Sequence, residues 1–259
     1  MKRFQPCAIV PSYNHHRAID DVVARLHAEG VPVFIVDDGS EAETQRHLAG
    51  LHDPDANIIV IRQEDNAGKG RAVATGMAAA QEKGFTHALQ VDADGQHCLD
   101  DIPKLLKAAE RDPDHLITGK PVYDDSIPTG RKIGRWITHV WVWIETLSFE
   151  ISDSMCGFRV FPISESLEVM EHEPVGQRMD FDTEIMVRLF WRGVHIREIP
   201  TPVIYPEGNT SNFRVFRDNV LISMMHTRLV VTMLCRLPGR FLRKVLGTGG
   251  KSDHWADLE

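Results

Sequence analysis

Asp92-Ala93-Asp94-Gly95-Gln96 is the segment with the densest potential chemistry in this chain. It follows His87–Val91, an apolar run that reads as a β-strand. Side chains on extended chain repeat every second residue, so Asp92, Asp94 and Gln96 can point the same way. Two carboxylates and an amide are hard oxygen donors that suit Mg²⁺ or Mn²⁺. Mg²⁺ keeps waters and takes one or two carboxylates plus substrate phosphates. The spacing therefore predicts a metal–diphosphate site, with Asp92, Asp94 and Gln96 as its metal ligands. An EF-hand is excluded by the missing later ligands and closing Glu. Taken alone, an acidic pair at a strand end can equally be a helix cap or a solvated loop.

Two further polar clusters follow apolar runs. Pro11-Ser12-Tyr13-Asn14 comes after Cys7–Val10, and Asp37-Asp38-Gly39-Ser40 after Val33–Val36. Between the runs lie helical patterns at Ala18–Ala28, from Glu41 onward, at Lys69–Lys83 and at Leu99–Arg111. Ser40 and Glu43 have the spacing of a capping box, which predicts the second helix start. Asn57–Ile61 is a further strand. Strands alternating with helices imply βαβ units and a mainly parallel α/β sheet flanked by helices. Continuous apolar runs fit strands covered on both faces. Ligands bind such sheets at the carboxyl ends of the strands, where all three polar clusters fall.

The second half changes character. Arg131–Phe149 is a Trp-rich helical pattern, Asp153–Phe161 a compact segment, Asp182–Trp191 a helix and His195–Tyr205 a strand interrupted by Pro200 and Pro202. The chain has 259 residues, enough for one substantial domain, and its 42% hydrophobic and 25% charged content is ordinary for a globular protein. A net charge of −8 excludes nucleic acid as a partner of the whole molecule. The four scattered cysteines include no CxxC pair and suit a reducing compartment. The first residues lack a signal peptide's apolar core, so a cytoplasmic protein is expected.

Taken with Asn66-Ala67-Gly68-Lys69-Gly70 before a helix, the three strand-end clusters resemble the family 2 glycosyltransferases of GT-A (Rossmann-like) fold. Within that family the set is most similar to the dolichyl- or polyprenyl-phosphate sugar synthases, over roughly residues 7–205. The resemblance implies a nucleotide sugar as donor and inversion by direct displacement. It places the nucleoside near Pro11, Tyr13, Asn14, Asp37 and Asp38, with Lys69 and Asp92 beside the nucleotide. The cation on Asp92, Asp94 and Gln96 would hold the diphosphate, and Asp94 would be catalytic. His15 stands where the family usually has Glu, so the nucleoside is left open.

On the acceptor side, Phe181, Asp182 and Glu184 match the FDxE segment of the lipid-phosphate sugar synthases. Asp182 and Glu184 are candidate catalytic carboxylates; the alternative is a helix cap and an ion pair. An acceptor phosphate needs cations, and Arg suits it by its forked geometry. Arg131, Lys132, Arg135 and Arg159 are the candidates, the last in Cys156-Gly157-Phe158-Arg159, which is similar to the family's SGFR segment. Each could instead make a structural ion pair.

The chain is expected to divide into a catalytic domain over 1–212, a basic amphipathic helix over 213–246 and a polar tail over 247–259. Residues 213–246 carry a local charge of +6. Val220–Cys235 is shorter than the ~20 residues that span a bilayer, and Arg228 sits in its middle. The reading is a helix lying on the membrane surface, or one packed on the domain or a dimer partner, broken at Pro238-Gly239. The implied reaction moves a sugar to a lipid-phosphate or other membrane-associated acceptor, on the inner face of the membrane. The alternatives are a soluble hydroxyl acceptor, a nucleotidyltransferase and a non-catalytic nucleotide-binding module. The oligomeric state is left open.

Overall fold

The computed structural model describes residues 3–15, 18–122, 129–203 and 214–246. For 129–131, 215 and 238–246 the description covers the backbone only. His16, the 123–128 loop, Tyr205 and the 247–259 tail lie outside the described residues.

The first half alternates as expected. Strands β1 (Pro6–Ser12), β2 (Val33–Asp38), β3 (Ile58–Gln63) and β4 (His87–Gln90) are linked by helices α1 (Ile19–Ala28), α2 (Ala42–Gly50) and α3 (Lys69–Glu82). A 3₁₀ turn (Leu99–Asp101) leads into α4 (Ile102–Arg111), and β5 (Leu116–Val122) follows. The second half holds α5 (Thr129–Thr146), β6 (Arg159–Pro162), α6 (Ile163–His172), α7 (Phe181–Trp191), β7 (Ile196–Pro202) and α8 (Val215–Leu246).

The seven strands form one sheet in the order β3-β2-β1-β4-β6-β5-β7. β6 runs antiparallel to both β4 and β5; the other pairings are parallel. The chain first builds outward from β1 to β2 and β3, then crosses back to put β4 on the other side of β1. That reversal opens a crevice at the carboxyl ends of β1 and β4, where α/β sheets bind ligands. Alternate residues of β1 feed opposite cores: Cys7 and Ile9 meet α3, while Ala8 and Val10 meet the buried faces of α1 and α4. Burial on both faces is why these strands read as unbroken apolar runs.

Two local expectations are corrected. The capping box does not form, because Ser40 Oγ instead accepts the Asn14 N–H at 3.0 Å. Asn14 Oδ1 in turn accepts the Glu41 N–H at 2.9 Å, so the first strand-end loop satisfies the start of α2. The helix is also not broken at Pro238-Gly239: α8 runs on to Leu246. Proline forfeits one i→i−4 hydrogen bond and crowds one carbonyl, which bends or breaks a helix according to what surrounds it. Here the helical pattern resumes after it with Phe241, Leu242 and Leu246.

The length argument against a membrane span falls as well, on a stretch that ends before Pro238. Phe216–Leu237 is 22 residues with mean hydropathy 1.4, long and apolar enough to cross a bilayer by length and composition. Its central charge is not stranded, because Arg228 turns inward to the buried Glu184. Met225, Leu229 and Met233 join the core on the same side, and His226 Nδ1 meets Glu145 at 2.7 Å on α5. α8 is thus fixed lengthwise to the domain, while Phe216, Met224, Val231 and Leu234 face outward.

Candidate active site

The carboxyl end of β2 shapes the first wall. Asp37 is buried: Oδ1 accepts the Ser40 N–H at 2.9 Å and Oδ2 pairs with Arg62. Its carboxylate is spent on closing its own turn. Asp38 reaches across instead, accepting the Ala67 and Gly68 N–H groups at 2.8 Å each. Burial raises the Asp38 pKa, opposed by these two N–H groups and the nearby Arg178 guanidinium. Gly39, at φ +74°, lets the two loops close, since a Cβ there would stand 2.5 Å from the Asn66 nitrogen. Pro11, Tyr13 and Asn14 lie half-buried at the end of β1, with Asn14 at φ 57°.

The centre of the site is Lys69, the first residue of α3. Its Nζ donates to Asp182 at 2.7 Å and to Asp92 at 3.0 Å. Desolvation works against the charged ammonium, but attraction to Asp182 and Asp92 outweighs it and raises the Lys69 pKa. Asp92 answers in the opposite direction: burial would raise it, and Lys69 with His97 holds it well below the carboxylate range. Gln90 Nε2 donates to the other Asp182 oxygen at 3.2 Å. Gly157 lies against this group, because a Cβ there would fall 2.6 Å from both Lys69 Nζ and Asp92 Oδ2. A side chain at the glycine of Cys156-Gly157-Phe158-Arg159 would therefore push these side-chain ends out of their present places.

Asp94 and Gln96 are half-buried in the turn after β4, where Asp94 Oδ1 accepts the Gln96 N–H at 3.0 Å across Gly95 at φ +72°. His97 stacks on Phe158, with ring centroids 5.0 Å apart, and lies 3.5 Å from Asp92. Gln90 Oε1 is buried without a directed hydrogen bond, and Asp92 Oδ1 has the Lys69 ammonium 2.9 Å away as its partner. The hard oxygens of Asp92 and Gln90 beside Asp94 and Gln96 fit a divalent cation that shares its shell with phosphate. Among the described residues no group of three or more His, Cys, Asp or Glu could hold a metal.

Several expected residues land elsewhere. Glu184 does not reach the site: it is fully buried and binds Arg188, Arg228 and the Gly176 N–H. Two residues apart on a helix point about 200° from each other, so Asp182 and Glu184 cannot share a target. Arg159 is fully buried and donates to the backbone carbonyls of Ser154 and Asp182, so it supports Asp182 and cannot meet an acceptor phosphate. Arg135 pairs with Asp153. Lys132 is exposed near the start of α5, and the Arg131 side chain lies outside the described residues.

Gln90, His97 and Arg178 were missed from sequence. Gln90 had a signal, standing two residues before Asp92 and hence on the same side of the chain. Arg178 had none, since its partners Asn66 Oδ1 (2.8 Å) and Asn66 O (3.0 Å) are 112 residues away.

Comparison with known proteins identifies the family and the fold. The chain is 28% identical over 240 residues to the UDP-N-acetylglucosamine–dolichyl-phosphate N-acetylglucosaminyltransferase of Methanococcus voltae, covering 83% of this chain and 95% of that one. It is 27% identical to the polyprenol monophosphomannose synthase of Mycolicibacterium smegmatis, covering 83% of each. It is 26% identical to the undecaprenyl-phosphate mannosyltransferase of Micrococcus luteus, covering 77% and 83%. The fold is shared with S. aureus TarS solved with UDP-GlcNAc, at TM-score 0.55 and 14% identity over 89% of this chain and 72% of that one. The sequence pattern described as glycosyl transferase family 2 matches residues 7–167, and the chain is a glycosyltransferase that belongs to that family.

Proposed function

We propose that this enzyme transfers a sugar, with inversion, from a nucleotide-diphosphate sugar to a lipid phosphate of the polyprenyl type. The observation that carries the reading is the convergence on Lys69 of Asp92 from the β4 end and Asp182 from the FDxE segment. The Asp38-bound loop beside it supports a nucleoside site next to this centre.

A divalent cation, Mg²⁺ or Mn²⁺, when bound through Asp92, Asp94 and Gln96, would stabilise charge on the departing diphosphate. The chain's own residues do the rest. Lys69 holds Asp92 and Asp182 in place and keeps Asp92 ionised, and Gly157 lies in close contact with the cluster. Asp182 is engaged by both Lys69 and Gln90, an arrangement better suited to orienting a substrate than to taking a proton. An acceptor phosphate is already ionised and needs no base, whereas a hydroxyl benefits from one. Of the candidate cations with described side chains, exposed Lys132 is the one assigned to that phosphate, since Arg135 and Arg159 are committed elsewhere.

The acceptor's location follows from the surface. Trp136, Ile137 and Trp141 of α5 and Phe216, Met224 and Val231 of α8 are exposed, and α5 packs on α8. Arg217 is exposed beside Phe216 in sequence, and Arg240, Arg243 and Lys244 make the last turns of α8 basic in sequence. Apolar contact flanked by basic charge suits an anionic membrane surface. A helix stitched to its domain through Arg228 and Met225 lies on the bilayer instead of crossing it. Four free cysteines support the cytoplasmic side.

The test is mass spectrometry of products from a panel of nucleotide sugars, given polyprenyl phosphate in vesicles with Mg²⁺ or Mn²⁺. A sugar-phosphate lipid is expected. Transfer only to soluble hydroxyl acceptors would overturn the acceptor assignment, and no turnover or binding of any donor would overturn the enzyme reading.

A further inference from the structure

We propose that Arg228 of the outer helix α8 is a positioning residue for the donor site, acting through buried Glu184 on the Gly176–Asp180 segment. This rests on the reading of the Asn66–Gly70 loop as part of that site. Each link is a directed hydrogen bond. Arg228 Nε donates to Glu184 Oε1 at 3.0 Å, and its Nη2 to Oε2. Glu184 Oε2 accepts the Gly176 N–H at 2.8 Å. The next residue, Gln177, accepts the Gly70 N–H on its carbonyl at 2.9 Å. The one after, Arg178, places its fork on Asn66 Oδ1 and O. Asp38 then holds Ala67 and Gly68 from the opposite side.

The segment has little room to adjust. The loop and the segment meet backbone to backbone at Gly68, where a Cβ would fall 2.2 Å from the Gln177 carbonyl oxygen. Displacing Gly176 therefore displaces the loop that carries Lys69. Arg228 is one of two arginines on the Glu184 carboxylate; the other, Arg188, lies on Glu184's own helix. Arg228 alone of the two ties the segment to α8. Seating of α8 and donor binding are consequently linked, and linkage is reciprocal.

The experiment uses the full chain and the nucleoside diphosphate, from UDP, GDP, CDP, ADP and TDP, that gives the wild type its largest thermal shift. Its Kd is measured for Arg228→Met, Arg228→Lys, Arg178→Met and the double Met variant, each with its melting temperature. Arg228→Met and Arg178→Met are each expected to raise Kd about tenfold, the size of one charge-assisted hydrogen bond. Arg228→Lys should recover most of the loss, and the double variant should raise Kd by less than the product of the singles. An unchanged Kd in a folded Arg228→Met variant, or effects that simply multiply, overturns the proposal. If Arg228→Met loses its cooperative melt, Arg228→Gln, which replaces the charged fork by one neutral donor and should still raise Kd several-fold, is held to the same criterion. A wild type that binds none of the five diphosphates removes the donor reading and this inference together.

Discussion

Asp94 is the site carboxylate with the fewest protein partners. Asp92 is engaged by Lys69 and His97, and Asp182 by Lys69 and Gln90, while Asp94 meets the backbone N–H of Gln96. Asp94→Ala should therefore lower kcat by about 10²–10³ with the melting temperature nearly unchanged. Steady-state kinetics beside a thermal melt check both halves. His87 gives a second prediction. Burial lowers its pKa, and the neutral ring is matched to its partners: with the proton on Nε2 it donates to the Pro113 carbonyl at 2.8 Å and accepts from Thr86 Oγ1 at 2.9 Å. A depressed histidine contributes stability above its unfolded pKa of about 6.5 that is lost as pH falls. Melting temperature should drop between about pH 7.5 and 5.5, and His87→Gln should shrink that drop. An equal drop in the variant would assign the acid sensitivity elsewhere.

At the scale of elements, strand ends and helix starts do the positioning, and glycines set how closely they meet. Gly157→Ala puts a methyl where Lys69, Asp92 and Gln90 already touch, so it should lower kcat/KM by about 10² or more while the sheet stays intact. Activity within a few-fold of wild type would mean the cluster relaxes freely. Much of this was legible beforehand. β1, β2 and β4 announced themselves because two-sided burial makes unbroken apolar runs, and the polar residues after them fell at one sheet edge. The antiparallel β6 was not legible, since its four residues give no direction. Glu184 misled because a motif's linear spacing hides the angle between helical positions. Ser40 misled because the competing donor, Asn14, is 26 residues away. Arg159 was open from sequence between a phosphate ligand and a structural role, and its buried carbonyl partners decide for the structural one.

At the scale of the molecule, charge and apolar surface are unevenly distributed. The chain is acidic overall, yet its last long helix is basic and apolar outward. The protein should float with vesicles containing anionic lipid, and less so as salt is raised, because each basic residue near such a surface contributes about 1 kcal/mol that screening removes. Trp136→Glu with Val231→Glu should abolish flotation while leaving donor binding. Retained flotation would locate the contact elsewhere.

The two-sided character of α8 also governs how the purified protein behaves. Its inner side is fastened by Arg228, Met225 and Leu229, so the helix cannot fold away to hide its outer side in water. Phe216, Val231 and Leu234, with Trp136 and Trp141 alongside, form a standing adhesive surface. Without lipid or detergent, copies of the chain will meet through that surface, and particle size measured by light scattering will fall when a mild detergent is added. Colloidal behaviour in the test tube is then a direct reading of which side of one helix was left uncovered.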